Sequence, residues 1–170
     1  MRALASIVAI LLVASGSGST ARPPLQAPAQ PKAVVAPAAA PKRIISLIPP
    51  VTETLFAVGA GAQVVAVSSF DNYPPEVAKL QRVGALLDPD VERILSLRPD
   101  LVVVYASQAD LRAQLERAHI PTYVYSHAGL ADVTSTIREV GRRVGHEVVS
   151  VQLAEKIDQR VAAVRRRVAG

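Results

Sequence analysis

Arg43-Ile44-Ile45-Ser46-Leu47-Ile48, followed directly by Pro49-Pro50-Val51-Thr52-Glu53-Thr54-Leu55-Phe56-Ala57-Val58, is the stretch on which the fold turns. A short apolar run with proline on either side reads as a buried strand. Pro49-Pro50 ends it. Val51 to Val58 then reads as a short helix with Leu55 and Val58 turned inward, closed by Gly59 and Gly61.

The same alternation continues outward. Val64 to Ser68 predicts a second buried strand, and a loop with Asp71, Asn72, Tyr73, Pro74 and Pro75 follows. Glu76 to Leu80 predicts a helical turn, and Val83 to Leu87 a short extended segment. Asp90, placed before Val91, Ile94 and Leu95, is in position to cap a helix running to Leu97. Leu101 to Tyr105 and Pro121 to Tyr125 predict two more strands, separated by a helix over Ala109 to Ala118. Leu130 to Val144 predicts a helix stopped by Gly145. Glu147 to Val168 has neither Gly nor Pro, and Leu153, Ile157, Val161, Val164 and Val168 recur three or four apart, which makes one apolar stripe. A helix of about 22 residues spans about 33 Å. Strands that alternate with helices predict an α/β fold with a mostly parallel sheet of four to five strands and right-handed crossovers.

Composition sets limits on function. With no Cys among the 170 residues there are no disulfides, thiolate metal sites or Cys nucleophiles, and no Cys to acylate as in a lipoprotein. The net charge of +5 is misleading, because Arg2, Arg22, Lys32, Lys42 and Arg43 all precede Glu53, the first acidic residue. From Glu53 onward, fourteen basic residues face fourteen acidic ones. A nucleic-acid binder carries its basic excess on the domain; this chain carries it ahead of the domain. Arg165-Arg166-Arg167 is the local exception, and cations suit a helix C-terminus.

Met1-Arg2 leads into the apolar Ala3 to Ala14, and small residues follow to Ala21, the pattern of an export signal over residues 1–21. The apolar run is shorter than the roughly 20 residues of a spanning helix. Residues 22–42 are almost all Pro, Ala, Val, Gln and Lys, which reads as a disordered or semi-stiff tether. The folded part then divides into a lobe over 43–146 and a long helix over 147–170.

Four stretches carry a resemblance to a known family: Arg43 to Leu55; Gly59 to Ser68 with Asp71 to Glu76; Val83-Gly84 with Val91 to Val103; and His119 to Thr122. In order and spacing they resemble the periplasmic binding proteins of vitamin B12 and ferric-siderophore ABC importers. The resemblance implies a Rossmann-like first lobe and a connecting inter-lobe helix. The resemblance reaches as far as the connecting helix, and on that reading the second lobe, which in the family completes the cleft, is expected to be missing. Pro50 and Ala66 depart mildly from the family's frequent Ser and Gly.

In an open parallel sheet the ligand sits beyond the carboxyl ends of the strands. That rule selects Pro50, Phe70, Tyr73, Leu86 and Tyr105 as ligand-binding residues on one rim. Phe70 and Tyr105 match family positions that often hold cleft aromatics; the alternative for each is ordinary loop packing. The resemblance also implies that Glu92 docks on arginines of the membrane permease, against the plainer reading of a solvated first-turn Glu that suits the helix dipole. His119, His127 and His146 are too scattered for a metal motif, although His127 falls on the rim. Gly59-Ala60-Gly61 follows a helix and precedes a strand, the reverse of a dinucleotide loop. No serine has a nucleophile elbow around it, so the chain reads as a non-enzyme without cofactors.

Two functions follow. The first is the solute-binding component of an ABC importer, periplasmic or otherwise extracytoplasmic, that captures a cobalamin-like corrinoid, ferric siderophore or haem. The second is a truncated non-transport relative that self-associates through the long helix as a scaffold.

Overall fold

The computed structural model describes residues 39–126 and 129–169. The export signal, most of the tether and His127 lie outside them. The elements in chain order are β1 (Ile44–Ser46), α1 (Pro49–Ala57), β2 (Val64–Val67), β3 (Gln81–Arg82), α2 (Val91–Ser96), β4 (Leu101–Tyr105), α3 (Ala109–Arg117), β5 (Thr122–Tyr125), α4 (Leu130–Val144) and α5 (Glu147–Val168). The five strands form one sheet in the order β3-β2-β1-β4-β5, and every described pairing is parallel.

Side-chain alternation on the strands divides the core in two. On β4, Leu101 and Val103 face one side with Ile44, Leu55, Val140 and Ala154, so α1, α4 and α5 cover that face. Val102 and Val104 face the other with Ile45, Ile94, Leu111 and Leu115, which α2 and α3 cover. A register shift between Ile44 and Ile45 pairs them with Val64 and Ala66, skipping Val65. Val65 and Ala66 therefore both belong to the α2/α3 side. Each fully buried Ile or Leu contributes about 1.5–3 kcal/mol of transfer free energy, so these two layers are the main source of stability.

Several element ends have plain local causes. α1 starts at Pro49 rather than Val51, because proline is tolerated in a first helical turn. Asp90 caps α2 by accepting from the Arg93 N–H at 2.9 Å. Gly145 closes α4 in the left-handed conformation, at φ 82°. Gly141 lies where Ser150 of α5 crosses α4, and a Cβ there would fall on the Ser150 side chain. At the base of the lobe Asp100 accepts from the Lys42 and Arg43 N–H groups, both at 2.8 Å.

Among the strands, one sequence expectation is corrected. The extended segment placed at Val83 to Leu87 comes earlier: β3 is only Gln81–Arg82, paired with Ala66 and Val67. Val83 to Leu87 instead belong to the loop after it, where Gly84 bridges Pro89. The stripe on α5 is covered along only part of its length. Leu153 and Ile157 pack on the core, whereas Val164 and Val168 are exposed.

Glu139 on α4 accepts from Arg142 at 2.7 Å and from Arg143 at 3.3 Å. The Arg142 hydrogen bond holds the Glu139 carboxyl below its ordinary range, against the opposing effect of partial burial. A depressed folded-state value stabilises the fold above the unfolded value, and that contribution is lost as pH falls through the folded one. The side chain is partly solvated, so Glu139→Gln is expected to cost at most about 1 kcal/mol at neutral pH. Denaturant unfolding of both proteins checks this: the difference should shrink as pH falls below the ordinary carboxylate range, and a difference independent of pH would rule out the ionic origin.

Candidate functional site

Because the strands are parallel, the loops after them and the starts of the following helices gather along one edge. The chain order reverses between β1 and β4, which carry the crossovers to opposite faces. This switch point is where open α/β sheets bind ligands. Pro50 leaves it after β1, and Tyr105 ends β4.

Pro50 is exposed in the first turn of α1. It lines a small notch of about 70 Å³ with Thr54, Tyr125, Ser126 and Asp132. The Tyr105 and Tyr125 rings meet edge to face, with centroids 6.0 Å apart. Burial, then Tyr125, then Asp71 push the Tyr105 hydroxyl above its ordinary pKa, so it stays protonated at neutral pH. The loops after β2 and β3 carry the most exposed apolar groups near this edge: Phe70 at 68%, Tyr73 at 64% and Leu87 at 93%, with Leu86 partly exposed beside them. Exposed large apolar side chains gathered on one edge make that edge the candidate binding surface.

Residues outside the sequence-derived set hold this surface in place. Asp71 closes the turn after β2 from inside, its own N–H donating to Ser68 O at 3.3 Å. It is 0% exposed. Its Oδ2 accepts from the Ser68 N–H at 2.8 Å and from the Ser68 hydroxyl. Arg82 then donates to the carbonyls of both Ser68 and Asp71. Ser69 N–H donates to Gly84 O at 2.7 Å, which ties the β2 loop to the β3 loop. Gln108 links the next pair: its amide donates to Leu86 O, and its Oε1 accepts from Tyr105 N–H. The one sequence signal for this cage is the serine three residues before Asp71, a spacing that supports side-chain-to-backbone turns. Gly84 takes φ +84°, and a Cβ there would fall on the Asp88 carbonyl.

Glu92 is exposed in the first turn of α2. Its neighbour Arg93 pairs with Asp90 at 3.6 Å and donates to Arg82 O. Glu92 has no ion pair among the described residues. Also among the described residues, no group of three or more His, Asp or Glu side chains is arranged to hold a metal.

The fold and its edge define a class: an α/β lobe whose loops meet at the switch point of an open parallel sheet, followed by one long helix. The chain belongs to the periplasmic binding protein family, whose model matches residues 44–170. It is 33% identical over 129 residues to the vitamin B12-binding protein of Pectobacterium carotovorum, covering 75% of this chain and 47% of that one. The solved periplasmic vitamin B12 binding protein of Vibrio cholerae aligns at a TM-score of 0.71 and 30% identity, over 76% of this chain and 52% of that one. The periplasmic haem-binding protein of Roseiflexus aligns at 0.67 and 32% identity, over 74% and 49%. The chain spans about half the length of the curated relatives it matches.

Proposed function

We propose that this chain supplies one wall of the ligand cleft in a solute-binding component of an ABC importer. The observation that carries this reading is the apolar edge formed by Phe70, Tyr73 and Leu86, together with Pro50 and Tyr105 at the switch point of a family member. Apolar and aromatic walls with a few polar groups suit a flat chelate. The ligand classes are a cobalamin-like corrinoid, a ferric siderophore or haem, and the place of action is extracytoplasmic. Spectroscopic titration of the whole chain with cyanocobalamin, haemin and a ferric siderophore, with mass measured in solution, tests this. No binding of any of them by a folded monomer would sink it. A stable dimer through Val164 and Val168 without ligand affinity would point to the scaffold function instead.

Glu92 docks the lobe on the permease in this reading, because an exposed carboxylate without an internal partner is free to pair with a cation on another protein. Glu92→Lys is expected to leave melting temperature and ligand affinity unchanged. Uptake through the cognate permease in proteoliposomes should fall at least about tenfold, the equivalent of 1.4 kcal/mol. Unchanged uptake would remove Glu92 from the docking surface.

A further inference from the structure

An anionic ligand needs N–H groups or cations to meet it, and at this rim many are already used inside the protein. α1 begins at the switch point, where a helix start ordinarily leaves N–H groups open to an anion. Its first two residues are Pro49 and Pro50, which have no N–H. The next two, Val51 and Thr52, both donate to Ile48 O. In the loop after β2, four consecutive N–H groups are spent: Ser68 on Asp71 Oδ2, Ser69 on Gly84 O, Phe70 on Ser68 Oγ and Asp71 on Ser68 O. Of the guanidinium groups in the rim loops and helix starts, Arg82 and Arg93 are held as described above, and Arg112 reaches Ala106 O at 3.5 Å.

Acceptors remain available. α3 and α4 carry Asp110 and Asp132 in their first turns, so a carboxylate of the chain itself meets each positive dipole end. Asp132, Thr54 and Ser126 line the notch beneath Pro50 and Tyr125.

We propose, on the basis of the binding role above, that this rim sorts ligands by charge: it admits neutral or cationic chelates that carry N–H donors, such as amide-decorated macrocycles, and excludes polyanions such as dicarboxylate porphyrins and ferric tricatecholates. Arg165, Arg166 and Arg167 stand on the last turn of α5, outside the loops that form the rim, and reversing their charge is the control.

The test titrates the whole chain with cyanocobalamin, haemin and a ferric tricatecholate at low and high salt. Cyanocobalamin is expected to bind at least about tenfold tighter than either anion, with little salt dependence. The double variant Asp110→Asn, Asp132→Asn should narrow that gap several-fold, and the triple variant Arg165→Glu, Arg166→Glu, Arg167→Glu should leave it unchanged. An anion bound as tightly as cyanocobalamin would overturn charge sorting and leave the binding role intact. So would a gap that the α5 variant moves and the rim variant does not. Binding of none of the three would overturn the binding role and charge sorting together.

Discussion

Gly84→Ala is expected to lower the melting temperature of this chain by about 10 °C, from a loss of about 2–4 kcal/mol at about 4 °C per kcal/mol for a domain of this size. Two effects add. The backbone at residue 84 sits at φ +84°, which is strained for a residue with a Cβ. The added methyl also meets backbone rather than a yielding side chain, namely the Asp88 carbonyl and the Asp90 N–H. Overpacking against such atoms costs about 1–3 kcal/mol by itself. The displaced carbonyl of Gly84 is the acceptor for Ser69 N–H, so the β2 loop should loosen as well. Thermal unfolding followed by circular dichroism gives the answer, and a melting temperature within about 2 °C of the parent would mean that the turn relaxes and does not constrain the rim.

Phe70→Ala should do the reverse, weakening ligand while sparing the fold. The ring is 68% exposed, so its truncation removes little packing. The loop beneath it is held by Ser68, Asp71 and Arg82 rather than by the ring. Loss of an aromatic anchor costs about 1–3 kcal/mol of binding, or roughly five- to a hundredfold in affinity for cyanocobalamin. Tyr105→Ala serves as the contrast. Tyr105 is half-buried, packs on the core and meets Tyr125 edge to face, so its truncation should lower both affinity and melting temperature. An unchanged dissociation constant for Phe70→Ala would remove the aromatic rim from the cleft.

β1, β2, β4, β5, the helices and their order were legible because their signals are local. α4 and α5 run over the residues that periodicity and Gly145 imply. β3 was not legible: Gln81–Arg82 has no apolar run, and only pairing with the end of β2 makes it a strand. The rim loops were legible for a different reason, since a parallel sheet determines which loops share an edge. Which side chains stand clear of that edge was not. Phe70 and Asp71 are neighbours in sequence, yet one is mostly exposed and the other fully buried. That difference depends on Ser68 and on Arg82, which reaches Asp71 across the sheet edge. No spacing rule encodes such a contact. The charge asymmetry was equally hidden, because it depends on how many N–H groups are already committed.

The cage around Asp71 also bears on how tightly so small a surface can hold a ligand. A loop ordered only on association loses its conformational freedom at that moment, and affinity falls accordingly, by about 1–2 kcal/mol for each backbone residue fixed. Here Ser68 to Asp71 are ordered when the lobe folds, through hydrogen bonds to Gly84, Arg82 and one another. The entropy loss is therefore charged to folding, where the two apolar layers supply the driving force, and not to capture. On the proposed binding role, the rim presents a stiff surface, and association at this loop should show fast, single-step kinetics with no slow ordering phase.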